Sequence, residues 1–118
     1  MNQYLLLLHE TPALYADMSP AAMKELVARY TAWAGEMGQA GRLVSGEKLT
    51  DDGGRHLSLK GGAPVAVDGP YAEAKDVVGG IFVIKAADDD EAQRLAQGCP
   101  HMRDGNWIEI RRIDTMGA

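Results

Sequence analysis

Two continuous apolar runs constrain the fold of this chain most strongly. They are "QYLLLLHE" (Gln3–Glu10) and "GGIFVIKA" (Gly79–Ala86). Neither run alternates apolar with polar residues, which is typical of strands buried on both faces at the centre of a sheet. Each run precedes a segment with helical periodicity. The chain therefore divides into two β-α-β halves.

The helix signals are specific at both places. The first helix begins with Ser19 as N-cap and Pro20 in the first turn, and Gly38 and Gly41 end it. The second helix covers Asp88–Gly98, where Asp88 and Glu91, three positions apart, have the spacing of a capping box. The apolar stripe of the first helix consists of Met23, Leu26, Val27, Tyr30, Ala34 and Met37; that of the second consists of Ala92, Leu95, Ala96 and Cys99.

Four further extended segments complete the pattern. Arg42–Leu49 and Arg55–Gly61 are predicted strands, and "TDDGG" between them predicts a hairpin turn that pairs them. Ala63–Gly69 is a short extended piece, and Asn106–Ile113 alternates as a half-exposed strand. The predicted order is β-α-β-β-(short β)-β-α-β.

This order predicts an α+β fold, in one domain over residues 1–118, with an antiparallel sheet and both helices on one face. The other face of the sheet then lacks a cover within the chain. We therefore expect a homodimer that packs sheet against sheet, and a monomeric mass at micromolar concentration would contradict this expectation.

Composition excludes several classes of function. The net charge is −5 at pH 7 and the Lys and Arg residues are scattered, so nucleic acid is not an expected partner. The apolar run Tyr4–Leu8 is too short for a membrane span and lacks the flanks of a signal peptide, so we expect no membrane association and a cytoplasmic location. Cys99 is a single cysteine, in agreement with a reducing compartment. The glycine pairs spell no nucleotide-binding motif, and we expect no cofactor.

The stretch "DGPYAEAKDVVGG" resembles the signature of the YCII-related superfamily, in the branch named for its DGPF motif. The opening "YLLLLHE", the "AGRLVSGEKL" after the first helix and the closing "IEIRRI" are also similar to the family. The resemblance implies a ferredoxin-like βαββαβ plait paired as a dimeric α/β barrel. It implies no established activity. The matching motif residues are Asp68, Gly69, Pro70, Ala72, Glu73, Ala74 and Lys75, whereas Tyr71 replaces Phe and Asp76 replaces the second acid.

The motif has two interpretations, and both stay open at this point. In the structural one, Gly69 and Pro70 form a rigid corner and Asp68 accepts backbone N–H groups. In the functional one, Asp68 is a general base at the mouth of a cleft between sheet and helices. His9, at the end of the first central strand, or Lys75 is the candidate that assists it.

Four residues are candidate ligand contacts: Tyr71, Glu73, Lys75 and Trp33. A surface or core role is the alternative for each of them. The wider superfamily has been suspected of using a His on the first helix, but Ser19–Gly41 contains no His, so that residue has no counterpart here. Cys99 and His101 have the spacing of a nucleophile or metal pair, but the helical stripe assigns Cys99 to the core, and we expect no metal site.

Two function hypotheses follow. The first is a protein that binds a small molecule near the DGPYAEAK motif, with acid/base catalysis by Asp68. The second is a non-catalytic regulatory or protein-interaction module, since members of the DGPF branch are often encoded near extracytoplasmic-function sigma factors.

Overall fold

The computed structural model of the chain describes residues 1–69 and 76–115. In these residues it has six strands and two α-helices, in the order predicted from the sequence, and a 3₁₀ turn at Pro12–Tyr15 between the first strand and the first α-helix. The elements are β1 (Asn2–Glu10), α1 (Pro20–Gln39), β2 (Leu43–Lys48), β3 (Arg55–Lys60), β4 (Ala63–Asp68), β5 (Val77–Ala86), α2 (Asp89–Ala96) and β6 (Trp107–Arg112).

The main sheet is antiparallel with the strand order β2-β5-β1-β6. The two continuous apolar runs, β1 and β5, are its central strands, as predicted. Along β1 the even-numbered residues Tyr4, Leu6 and Leu8 are buried, whereas Leu5 and Leu7 between them are half-buried. The period of two of a strand therefore gives the sheet one fully covered face and one less covered face.

Both helices pack on the covered face. Trp33 and Met37 of α1 and Ala92 and Ala96 of α2 share one hydrophobic core with the even-numbered side of β1. The caps are as predicted: the Ala22 N–H donates to Ser19 Oγ at 3.1 Å, and the Glu91 N–H donates to Asp88 Oδ1 at 2.8 Å. Cys99 is buried in this core, which confirms the assignment made from the helical stripe.

The predicted pairing of β2 with β3 is wrong. β2 pairs with β5 instead, while β3 pairs with β4 in a separate two-stranded sheet. The turn chemistry of "TDDGG" is present, because Gly53 and Gly54 have φ values of 77° and 63°. The tight connection that closes a hairpin is the next glycine pair, Gly61–Gly62, also at positive φ. Because two adjacent segments have hairpin turns, local turn signals could not decide which strands pair.

The β3–β4 hairpin carries Asp68 at its end. Asp68 is exposed and lies opposite Arg55 in the ladder. The adjacent Gly69 N–H donates to the Gly54 carbonyl at 2.9 Å, and a Cβ at Gly69 would overlap the Gly53 carbonyl group. Gly69 is therefore a close-packed corner, which supports a structural role for this glycine of the motif.

Candidate functional site

A cavity of about 420 Å³ lies between α1 and the covered face of the main sheet. Its volume falls in the usual range of small-molecule sites, roughly 300–1,000 Å³. The apolar stripe of α1 supplies one wall: Met23, Leu26, Val27, Tyr30 and Ala34 all line the cavity. Val27 is 56% exposed although it belongs to this stripe. The stripe therefore faces an open cavity for much of its length instead of packing onto the sheet.

Glycines on two neighbouring strands make the floor of the cavity. Gly46 of β2 and Gly79 and Gly80 of β5 line it. A Cβ at Gly46 would come within 2.6 Å of the Phe82 ring. A Cβ at Gly79 would lie 2.8 Å from Glu10 Oε2 and closer still to Oε1. The missing side chains thus leave room for one aromatic ring and one carboxylate at the cavity wall.

Four polar side chains meet at the cavity wall: Glu10, Tyr15, Tyr30 and His101. Glu10 ends β1 and is only 6% exposed, and His101 follows α2 and is only 1% exposed. Tyr15 comes from the 3₁₀ turn and Tyr30 from α1. Four separate parts of the chain therefore build one polar region in an otherwise apolar cavity.

The hydrogen bonds of His101 fix its protonation. His101 Nε2 lies 2.6 Å from the His9 carbonyl oxygen, which can only accept, so Nε2 carries the proton. Burial lowers the pKa of His101, so the neutral ring is favoured and Nδ1 is left as an acceptor. Tyr30 Oη lies 2.8 Å from Nδ1 and therefore donates its proton to it. The order of donation is Tyr30 to His101 to the His9 carbonyl.

Burial also keeps the two tyrosines protonated. It raises the pKa of Tyr30 to about 12, against a smaller opposing effect of the Arg103 charge. Burial raises the pKa of Tyr15 as well. Tyr15 Oη accepts from Arg103 Nη2 at 2.7 Å and from Asn106 Nδ2 at 3.0 Å, and its own proton goes to the Glu10 carboxylate. This second series of bonds runs from Arg103 and Asn106 through Tyr15 to Glu10.

The side chain of His9 lies outside the described lining of the cavity, on the other face of the sheet. Its Nδ1 is 3.2 Å from Asp76 Oδ2, its Nε2 is 3.0 Å from Glu109 Oε1, and its ring stacks on Trp107 at 3.8 Å. The hydrogen bond from His9, with a second one from Arg111, holds the pKa of Glu109 below its usual range. His9 reaches the polar group of the cavity only through its backbone carbonyl.

The other sequence-derived candidates are dispersed. Asp68 lies on the β3–β4 hairpin, apart from the described lining of the cavity. Trp33 is 7% exposed and packs edge-on against Phe82 in the core, at a ring distance of 5.0 Å. Tyr71, Glu73 and Lys75 lie outside the described residues. Among the described candidates, then, the structure does not bring Asp68, His9 and Trp33 into one site.

Sequence reasoning missed the residues that do meet there. Glu10 ends an apolar run whose lack of alternation does not indicate which face its side chain takes, and Tyr15 lies in a segment without a periodic pattern. The usable signal was the glycine pair at 79–80 within a strand, because glycine in a strand interior often marks the close approach of another group.

Within residues 1–69 and 76–115, no three His, Cys, Asp or Glu side chains are grouped so that they could hold a metal ion. Over the same residues, neither helix combines the length and the apolar character required to cross a bilayer.

The fold and the cavity define a class: an α+β domain with a ligand-sized space between its first helix and an antiparallel sheet. The model of the YCII-related domain family matches residues 2–116, and the chain belongs to this family. A comparison with curated proteins gives no match.

Proposed function

We propose that this YCII-related protein, of the DGPF branch, binds a small molecule in the cavity between α1 and the main sheet. The observation that carries the proposal is the arrangement of the lining. Apolar side chains of α1 and Phe82 form the walls, and four buried or half-buried polar groups meet at one place. Binding sites for small molecules commonly combine an apolar lining with a few convergent polar groups.

The cavity offers an acid/base group different from the one expected from the motif. Glu10 is a buried carboxylate on the lining, oriented by the hydroxyl of Tyr15. His101 is not available as a base, because Nε2 donates to the His9 carbonyl and Nδ1 accepts from Tyr30. If the bound molecule is also transformed, Glu10 is the side chain placed to exchange a proton with it.

Filling the mouth of the cavity tests the binding function. We expect Val27→Trp to lower the affinity for the neutral apolar dye N-phenyl-1-naphthylamine by about tenfold or more, since an indole at this position occupies the entrance. The dye is titrated by its own fluorescence, excited outside the tryptophan band. Ala32→Trp is the matched control, because Ala32 is exposed on the same helix and lies outside the described lining. Equal dye affinity in the two variants and the wild type would contradict the proposal.

We also propose that the chain forms a homodimer, a dimeric α/β barrel built from two ferredoxin-like plaits. What supports it is the less covered face of the main sheet. In the register of the strands, Leu5 lies beside Val83, and Leu7 beside Ile81. These four side chains are half-buried, and both α-helices of the described residues pack on the opposite face. A second copy would bury this apolar surface.

A non-catalytic protein-interaction module is the second candidate function. The observation in its favour is the β3–β4 hairpin, on which Leu57 and Leu59 are 74% and 71% exposed. Both lie on the same side of the ribbon, two residues apart. Exposed leucines on a two-stranded ribbon are typical of a surface that meets another protein.

One experiment separates the two surfaces. We expect the wild type to have a dimeric mass by light scattering at micromolar concentration, and Leu5→Glu to be monomeric, because a carboxylate would then face the partner sheet. The monomer itself should tolerate this change, since Arg111 is the cross-strand neighbour of Leu5. Leu57→Glu should remain dimeric. A monomeric wild type would contradict the dimer, and a monomeric Leu57→Glu with a dimeric Leu5→Glu would move the interface to the hairpin.

A further inference from the structure

The polar region of the cavity presents acceptors. Tyr30 donates its proton to His101 and accepts a hydrogen bond from Arg103, so its oxygen can meet a ligand in the cavity only as an acceptor. The proton of Tyr15 goes to Glu10, so the carboxylate, which is acceptor-only, is the end of the second series of bonds. The two series of hydrogen bonds are separate. At the cavity, the first presents the oxygen of Tyr30 and the second presents the carboxylate of Glu10, and both groups are acceptors.

Buried or half-buried groups fix the direction of donation in both series, so a bound ligand cannot easily reverse it. Reversing the first series would require a proton on His101 Nδ1, which burial of the ring disfavours. Reversing the second would require Tyr15 to release its two donors, Arg103 and Asn106. A ligand group that needs a donor from Tyr30 or Tyr15 would therefore leave a buried group unpaired.

The charged groups of the lining also favour a ligand that donates hydrogen bonds and carries a positive charge. Glu10, Glu47 and Asp51 line the described part of the cavity, against the single ammonium group of Lys48. Lys48 Nζ already donates to Asp51 at 2.9 Å, so the rim pair is largely neutral. Arg103 is outside the described lining; its guanidinium carbon lies 5.8 Å from the ring centre of Tyr15 and 5.9 Å from that of Tyr30, and it donates to the Pro100 carbonyl and to Tyr15 Oη. The carboxylate nearest the polar end is therefore Glu10.

We infer that the cavity selects an organic amine, in which an apolar body lies along α1 and a protonated amino group lies between Glu10 and Tyr30 Oη. This inference rests on the proposed binding function and adds the chemical class of the ligand. An ammonium group supplies donors only, which matches an end of the cavity that offers only acceptors. A carboxylate of the same shape would meet the Glu10 carboxylate and the accepting oxygen of Tyr30 and would be rejected.

Three probes of matched shape test the inference: 4-phenylbutylamine, 4-phenylbutanol and 4-phenylbutanoate, titrated into the wild-type protein by calorimetry near pH 7.5. We expect the amine to bind about tenfold or more tightly than the alcohol, as for a hydrogen bond to a charged group, and the carboxylate to bind most weakly. Equal or tighter binding of the alcohol would overturn the amine class but keep the binding function. Equal or tighter binding of the carboxylate would do the same. If no probe binds, while the neutral dye of the previous test does, the amine class also falls.

Two variants locate the selectivity. Glu10→Gln should lower the affinity for the amine about tenfold and leave that for the alcohol within about threefold, because only the charged head loses its counter-ion. Glu109→Gln changes the net charge equally but lies on the other face of the sheet, and it should leave both affinities unchanged. An equal loss in the two variants would show a long-range charge effect and overturn the inference. If Glu10→Gln does not fold, Tyr30→Phe replaces it, and unchanged selectivity in that variant would likewise overturn the inference.

Discussion

Gly79→Ala should destabilise the protein by about 2–4 kcal/mol, whereas Gly35→Ala should stabilise it by about 0.5–1 kcal/mol. Gly79 lies in a strand, so the penalty does not come from backbone conformation. It comes from Glu10, whose carboxylate occupies the space that a Cβ would take. Gly35 lies within α1 and a Cβ there meets nothing within 4 Å, so alanine brings only its better helix propensity. Urea unfolding of the two variants measures the change in the free energy of unfolding, which should be a loss for Gly79→Ala and a gain for Gly35→Ala.

A double-mutant cycle identifies Glu10 as the cause. In a Glu10→Ala background the carboxylate is absent, and the added methyl group of Gly79→Ala should then cost less than about 1 kcal/mol. The same penalty in both backgrounds would show that the methyl group meets the backbone instead, and that the Glu10 carboxylate is not the cause. The dye titration on Gly79→Ala gives a second measurement, because displacement of Glu10 also disturbs the polar region of the cavity.

The sequence predicts the elements of this fold well because their signals are local. Ser19 and Asp88 cap helices through hydrogen bonds to residues three positions away, and both caps are present. The central strands were recognised because β1 and β5 are apolar on both sides. Strand pairing is a long-range property. The prediction that β2 pairs with β3 was wrong because it relied on the turn between them, which has the right residues for a hairpin.

The site was less predictable for the same reason. His9 and Glu10 are neighbours in a strand, so only one of them can face the helices, and an apolar run without alternation does not indicate which. The structure places Glu10 on the covered face and the side chain of His9 on the other. His101 lies in a loop after α2, where no periodicity indicates its direction. The motif Asp68–Lys75 was the basis for the predicted site because of its resemblance to a family signature. Asp68, which is among the residues that the structure describes, lies on the β3–β4 hairpin.

The neutral state of His101 makes the stability of the protein depend on pH. Burial lowers the pKa of His101 in the folded protein, whereas in the unfolded chain the imidazole has its ordinary pKa of about 6.5. Below that pH the unfolded state binds the extra proton, so this contribution to stability is complete above about pH 6.5 and is lost as the pH falls. We expect stability to fall as the pH drops below 6.5, with a slope of at most about 1.4 kcal/mol per pH unit, and to level off once the pH passes the folded-state pKa.

Urea unfolding from pH 5 to pH 7.5 measures this slope, and His101→Gln is the informative variant, because an amide can still donate to the His9 carbonyl. Its profile should be flatter than that of the wild type below pH 6.5 and parallel to it above pH 7. His56→Gln is the matched control, since His56 is exposed on the hairpin, and its profile should follow the wild type throughout.

Glu91 and Glu109, whose pKa values are lowered by hydrogen bonds from Ala87 and His9 respectively, add a loss of stability of the same sign, but only near pH 4 and below. Equal slopes for the wild type and His101→Gln between pH 5 and 6.5 would show that His101 takes up its proton without cost. Protonated Nδ1 would in that case donate to Tyr30 Oη, so below about pH 6.5 the proton of Tyr30 would be available to the cavity, and the selectivity for the amine should weaken in the same pH range.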